Sequence, residues 1–291
     1  MWQLLQIELY KIFRRPRTYI SFAAITALIG IIQLGLKMDG EAYVDFVMSG
    51  LKDTFEFDGK ILNGYLVCYV ILQLLLVHVP LLIALVAADM ISGEANMGTL
   101  RLLLTKPISK SNFMLAKFFA SAIYTLILLL WIAFLALGVS TWLFGTDDLL
   151  IQKTSYVVQI SEDDVFWRYA YAFCFAFLAM LTVTALGFLL SIFAENSIGP
   201  IITTMSIIVV FTILSTMSIP LFQKIQPYLF TTHMVNWKEL FDEQVNDQNE
   251  VIKGSLQNPQ RITGSVAMLI GHVVLFVGAA IVIFRKKDVL S

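Results

Sequence analysis

Residues 169–193 read YAYAFCFAFLAMLTVTALGFLLSIF, residues 194–197 read AENS, and residues 198–220 read IGPIITTMSIIVVFTILSTMSIP. Glu195 is the one ionised side chain in the whole stretch. Each apolar run exceeds the roughly 20 residues that a helix needs to cross about 30 Å of hydrocarbon. In lipid every backbone amide must be satisfied within its own segment, so a run of this kind crosses as a helix. Two such runs joined by one short polar turn form an antiparallel pair of transmembrane helices.

Working outward from this pair, four further runs qualify, and the six predicted spans are 18–36, 62–88, 113–144, 169–193, 198–220 and 266–284. The third is longer than one crossing requires, so its ends project beyond the hydrocarbon. The composition agrees: of 291 residues 58% are hydrophobic and only 14% charged, with a mean hydropathy of +0.79. A soluble domain of this size needs more surface charge. Net charge is −1 and the pI about 6.3, which gives no sign of a nucleic-acid partner. Cys68 and Cys174 sit inside apolar runs and read as packing residues rather than a disulfide or metal ligands. The first apolar run follows Glu8 and a cluster of bases, unlike a cleavable signal peptide.

Orientation follows from the connectors. Lys11, Arg14, Arg15 and Arg17 precede the first span against Glu8 alone. Arg101, Lys106, Lys110 and Lys117 flank the second connector against Asp89 and Glu94, and Arg285, Lys286 and Lys287 close the chain against Asp288. On the opposite side, 37–61 holds six acids against three lysines, and 145–168 holds five acids against Lys153 and Arg168. The stretch 221–265 is nearly balanced. With six spans the basic connectors share one side, so both termini are expected in the cytoplasm. The expected fold class is an all-α, multi-pass protein of the cell's inner (cytoplasmic) membrane, one permease-like domain over 1–291.

Residues 1–17 read as an interfacial helix ending at Pro16. Trp2, Leu5, Leu9, Ile12 and Phe13 share one arc, and Gln3, Glu8, Lys11, Arg14 and Arg15 share the opposite one, interrupted by Leu4 and Ile7. Two readings stand: a membrane-surface anchor, or an anchor whose polar arc also docks a cytoplasmic protein. The connector 89–112 contains a compact apolar run, Leu100-Arg101-Leu102-Leu103-Leu104, in a segment expected to face water. Thr99 can cap a short helix there, Pro107 ends it, and Ser109 can cap the helix of the third span. Such a helix must bury itself either in lipid headgroups or in a partner.

The pattern Glu94-x-x-x-Gly98-Thr99-Leu100-Arg101-Leu102-Leu103-Leu104-Thr105-Lys106-Pro107-Ile108-Ser109-Lys110, followed by Phe113-x-x-Ala116-Lys117, resembles the first cytoplasmic loop of ABC-2-type transporter permeases. The closing Phe284-Arg285-Lys286-Lys287-Asp288-Val289-Leu290-Ser291 is similar to the usual end of that family. The resemblance implies that the N-terminal helix, with Lys11 and Arg14, and the loop helix contact an ABC ATPase subunit. The contact set would be Glu94, Gly98, Thr99, Leu100, Arg101, Leu103, Leu104, Lys106, Pro107 and Ser109. Leu100, Leu103 and Leu104 would be buried against the partner, and Glu94 and Arg101 would be polar contacts or orient the loop. It further implies two ATPase copies, a second permease that is identical or related, and ATP with Mg held by the ATPase rather than by this chain. The second and fifth spans would line the interface between permeases.

No phosphate-binding Gly-x-x-x-x-Gly-Lys-[Ser/Thr] loop is present, and neither His-Glu-x-x-His nor Gly-x-Ser-x-Gly occurs. His78 lies two residues before Pro80, with Gln73 just over a turn earlier, and either lines a pathway or satisfies the carbonyl that the proline frees. His272 is open in the same way. Thr203, Thr204, Ser206, Thr212, Ser215, Thr216 and Ser218 crowd the fifth span, where they either face a polar path or bond their own backbone. Gly264, Gly271 and Gly278, seven residues apart, predict close helix packing within the chain. Trp237, Leu240, Phe241 and Val245 predict a surface-lying helix in 221–265, followed by a flexible polar turn or a lid. Three functional classes remain: a permease exporting a hydrophobic or amphipathic solute, lipid or peptide; an ABC membrane subunit that transmits force without carrying cargo; and a stand-alone carrier or enzyme. The third leaves the loop helix unexplained.

Overall fold

The computed structural model describes residues 1–47, 60–100, 108–153, 156–246, 248 and 251–287. An N-terminal helix, Trp2–Arg14, precedes six helices long and apolar enough to cross a membrane. These lie in Pro16–Val47, Gly64–Ala87, Lys110–Phe144, Glu162–Leu190, Ile198–Thr216 and Pro259–Lys286. The fold is all-α and membrane-spanning. The fourth span is its centre, with 56% of its apolar window buried against 11% for the sixth.

Local chemistry sets where these helices start and stop. Asn63 accepts from the Leu66 amide at 3.0 Å and so caps the second span, while its own amide donates to the Asp148 carbonyl at 2.7 Å. Gly145, at φ +78 and ψ −177, ends the third span in an extended positive-φ conformation open to glycine. The Gly145 carbonyl accepts from the Gly64 amide at 2.8 Å, locking that end to the start of the second span. Inside the third span, Phe134–Val139 form a π-helical turn. Gln33 of the first span, buried to 5% exposure, donates to the Leu135 carbonyl at 2.8 Å and to the Ser140 hydroxyl at 2.9 Å. A polar side chain in the apolar first span thus braces the widened turn of the third.

At the end opposite the chain termini sits a folded cap. A two-stranded antiparallel hairpin, Leu149–Gln152 with Val157–Ile160, lies between the third and fourth spans. The segment after the fifth span is short helical pieces, Pro220–Gln223, Phe230–Met234 and a 3-10 stretch Val235–Phe241. Arg168 of the fourth span, fully buried, holds the cap down. Its guanidinium donates to Asp164 at 2.6 Å, Glu243 at 2.9 Å, the Leu240 carbonyl at 2.7 Å and the Ser255 carbonyl at 3.1 Å. Trp237 and Phe241 pack on Tyr69 at 5.4 and 5.5 Å between ring centres, and Phe241 on Tyr169 at 4.9 Å.

Several expectations need correction. The helix of the first span continues to Val47 rather than ending at Leu36, with a kink at Asp39. The predicted surface-lying helix in 221–265 is a short 3-10 segment driven inward, because Trp237, Leu240 and Phe241 find an aromatic cluster to fill. Val245 instead pairs with Val251 in an isolated bridge. A Cβ placed on Gly264, Gly271 or Gly278 meets nothing within 4 Å, so that stripe faces away from the described residues and not into a neighbouring helix. The small hairpin was not anticipated.

Replacing Arg168 by leucine strands the buried Glu243 and the half-buried Asp164, a loss of about 3–5 kcal/mol for a broken buried pair. The expected outcome is rapid protease cleavage within 241–258 while all six spans remain inserted, read by mass mapping of purified protein in detergent.

Candidate functional site

The connector between the second and third spans gathers the chemistry of the other end. The second helix runs out at Ala87, and Ser92–Asn96 forms a short helix. The amides of Ile91 and Ser92 both donate to the Ser191 hydroxyl at 2.9 Å, which pins the connector to the end of the fourth span. Gly93 is required here: a Cβ would fall 2.6 Å from either carboxylate oxygen of Asp89. Asp89, 1% exposed, pairs with Arg15 and Arg17 from the junction between the N-terminal helix and the first span.

One turn further, four ionised side chains close a ring. Lys11 meets Glu8 and Glu94 at 2.7 Å each, and Lys117 meets Glu8 and Glu94 at 2.8 Å each. Positive and negative groups alternate, so the ring is neutral although Glu8, Glu94 and Lys117 are 5%, 2% and 1% exposed. The ring draws on three segments: Glu8 and Lys11 from the N-terminal helix, Glu94 from the connector, and Lys117 from the third span. Lys117 also lies over the Phe113 ring at 4.9 Å. Among the described residues, one oxygen of Glu94 and one of Asp89 have no hydrogen-bond partner. Burial pushes the Glu8 carboxyl upward, yet the ammonium groups of Lys117 and Lys11 outweigh it and hold the group below its ordinary value. Burial likewise pulls Lys11 down, and its bonds to Glu8 and Glu94 outweigh that and raise it.

The basic chain end joins the same assembly. Lys110 donates to the carbonyls of Arg285 and Lys287, and Lys287 donates to the Ile192 carbonyl at 2.7 Å, at the end of the fourth helix where cations are favoured.

The residues singled out from sequence divide between surface and interior. Glu94 faces inward and orients the connector; its charge is spent within the chain. Leu100, expected from the resemblance to be buried against the partner, is 5% exposed within the chain's own core. Gly98 holds φ +70 in the turn after the short helix, and the Thr99 hydroxyl donates to the Glu94 carbonyl at 3.3 Å. Ser109 accepts from the Asn112 amide and caps the third span. Arg101, Leu103, Leu104, Lys106 and Pro107 lie outside the described residues. On the N-terminal helix, Glu8 and Lys11 belong to the inward face and not to the polar arc, because each finds a buried counter-ion. Trp2, assigned to the apolar arc, is 68% exposed, and Arg14 is exposed with its guanidinium 5.3 Å from the Tyr10 ring centre.

The pathway candidates do not converge. His78 is exposed and bonds the Leu74 carbonyl at 2.9 Å, not the Leu76 carbonyl that Pro80 leaves free. Thr212 and Thr216 donate to their own helix backbone, and Ser215 does so while also meeting Thr231 at 2.6 Å. His272 bonds the Met268 carbonyl at 2.8 Å. Gln73 is the exception, accepting from Lys238 at 3.1 Å.

Sequence reasoning counted Lys117, Arg15 and Arg17 toward topology and did not see Glu8, Asp89 or Ser191 as parts of a site. One signal was available: an ionisable residue inside an apolar segment demands a partner, and Lys117 stands inside the third helix.

A family model described as an ABC-2 family transporter protein matches residues 2–289. No curated protein matches the chain.

Lys117→Met leaves two buried carboxylates sharing one ammonium, a cost of about 3–5 kcal/mol. The double variant with Glu94→Gln should recover at least half of the lost thermal stability in detergent; strictly additive losses would show that the four groups do not act together. The ring's pH window follows from its two shifts. The contribution of Glu8 is complete above about pH 4.3 and fades as the pH falls through its lowered folded value. The contribution of Lys11 is complete below about pH 10.4 and fades as the pH climbs through its raised one. Unfolding midpoints should therefore form a plateau between these limits, and the plateau's advantage over the Lys117→Met, Glu94→Gln variant should narrow at its acid edge.

Proposed function

The chain belongs to the ABC-2 family of transporter proteins, and from that premise we propose that it couples a separate ATPase to outward movement of a hydrophobic or amphipathic solute. As an ABC transporter permease it is a multi-pass membrane protein that works with an ABC ATPase subunit. The finer reading is ours: two ATPase copies, a second permease identical or related, both chain ends in the cytoplasm of the inner membrane, and ATP hydrolysis confined to the partner.

The observation that carries this reading is the ring of Glu8, Lys11, Glu94 and Lys117. It ties the two segments that the family resemblance assigns to ATPase contact, the N-terminal helix and the connector, directly to a transmembrane helix. A push on either segment reaches the third span through short charge-assisted bonds instead of through a loose loop. The contact surface itself is assigned to the apolar run after Leu100 and to the exposed side of the N-terminal helix, where Trp2, Ile7, Tyr10 and Arg14 lie open. When ATP closes the ATPase pair, the braced unit moves with it and the interface between permeases opens to the far side.

Leu103→Asp combined with Leu104→Asp should remove the ATPase from purified complexes while the chain still inserts; stoichiometric ATPase in that pull-down would refute the docking assignment. Sidedness is read by cysteine labelling in a Cys174→Ala background. Met97→Cys should react only in permeabilised cells and Thr146→Cys in intact ones, and the reverse pattern would invert the orientation.

A further inference from the structure

Among the described residues, the buried charge clusters differ in their balance. The ring of Glu8, Lys11, Glu94 and Lys117 is neutral, and Asp89 with Arg15 and Arg17 carries a positive surplus. At the cap the surplus is negative. Asp164 and Glu243 both accept from one nitrogen, Nη2 of Arg168, at 2.6 and 2.9 Å. Arg168 is fully buried and Glu243 nearly so, which leaves little water to screen the second carboxylate. The other charges around Glu243 are spent or distant. Asp242 is held by Lys153 beside the hairpin and Glu239 by Arg261 of the sixth span, while Lys253 acts on Glu243 only from an exposed position. One negative charge is left over.

The hydrogen bonds show which acid would take a balancing proton. Asp164 accepts from the Trp167 indole, from Nε and Nη2 of Arg168, and from the Gly254 amide. It also lies in the first turn of the fourth helix, where the helix dipole favours negative charge. Such surroundings suit a carboxylate. Glu243 accepts from Arg168 alone among the described residues. Burial pushes the Glu243 carboxyl up and Asp164 adds to the rise, while Arg168 and Lys253 pull the other way without cancelling it. The proton belongs on Glu243.

We propose that Asp164 and Glu243 share a single proton beside Arg168, and that this proton latches the cap to the fourth span. It comes from solution on the cap side and sits on Glu243, whose hydroxyl then donates to Asp164. Its release restores two carboxylates facing one guanidinium, and they repel. The clasp weakens at its centre, because the same guanidinium holds the Leu240 and Ser255 carbonyls and Asp164 holds the Gly254 amide. The 3-10 stretch that Leu240 belongs to also carries Trp237, which walls an apolar crevice against Leu72, Ile132 and Ala176 of the second, third and fourth spans. The cap is therefore a lid that tightens as the pH falls. A closed lid binds the proton more tightly than an open one, so this stabilisation is complete below about pH 4.3 and is lost as the pH climbs through the raised Glu243 value. The latch needs no ATPase and stands apart from the coupling ring.

Hydrogen–deuterium exchange of the purified full chain in detergent reads the latch through peptides covering 242–258. The amides of Ile252, bonded to the Gln244 carbonyl, and Gln257, bonded to the Asp242 carbonyl, report the lifting of the lid. After correction for intrinsic exchange, opening in wild type should rise with pH by up to about tenfold per unit, the limit for one proton, and then level off. Glu243→Gln keeps a neutral donor in the same place and should stay closed at every pH. Glu162→Gln, at an exposed acid of the same helical turn, should keep the wild-type profile. Asp164→Asn removes the second carboxylate and should abolish the pH step. The infrared difference between wild type and Glu243→Gln should contain a carboxylic-acid carbonyl band that titrates above about pH 4.3. Parallel exchange profiles in wild type and Glu243→Gln would overturn the proposal. So would an unchanged pH step in Asp164→Asn, or a Glu243 band that titrates at or below the ordinary glutamate value.

Discussion

Two lysines and two glutamates that meet out of water constrain one another far more than the same groups would on a surface. Each ammonium of the Glu8–Lys11–Glu94–Lys117 ring faces two carboxylates at 2.7 or 2.8 Å, and no member can turn away without stranding another. The low dielectric that makes an unpaired charge expensive also makes the closed ring specific in geometry. Hydrophobic contact alone would let the N-terminal helix slide or rotate on the third span. The ring fixes both its rotation and its position along the axis, and Asp89 with Arg15 and Arg17 repeats the device one turn away.

The same logic organises the far end, where Arg168 replaces the ring with a single guanidinium. Its planar fork of donors reaches two acids and two backbone carbonyls and converts a polar connector into a folded cap. Between these polar anchors the helices meet mainly through apolar packing, joined by a few buried polar contacts such as the π turn braced by Gln33, the Thr125–Thr184 hydroxyl pair and the Tyr169 hydroxyl on the Tyr65 carbonyl. A molecule stiff at both ends and apolar between them suits a device that moves as a few rigid pieces. The pieces are joined where charge meets charge.

Apolar faces left open tell a complementary story. Leu100 is taken up by the chain's own core. The glycine stripe of the sixth span has nothing packed on it among the described residues. Lys238, unlike the ring lysines, ends on a neutral oxygen.

What the sequence by itself determined is what one-dimensional sums can carry. Six crossings follow from run length and hydropathy, and the family motif from the order of residues between Glu94 and Lys117. The helix caps at Asn63 and Ser109 are likewise local, set by a side chain and an amide three residues on. Tertiary structure alone decided which distant charges meet. Glu8 and Lys117 lie 109 residues apart, and Arg168 and Glu243 75 apart. Their pairing depends on how far each helix is rotated and how deep it sits, quantities set by neighbouring helices and not by its own periodicity. For the same reason the arc of Glu8 looked solvent-facing on a helical wheel, and Trp237, Leu240 and Phe241 looked like a surface helix. An isolated segment shows which residues share a face, but only the packed bundle shows what that face is turned toward.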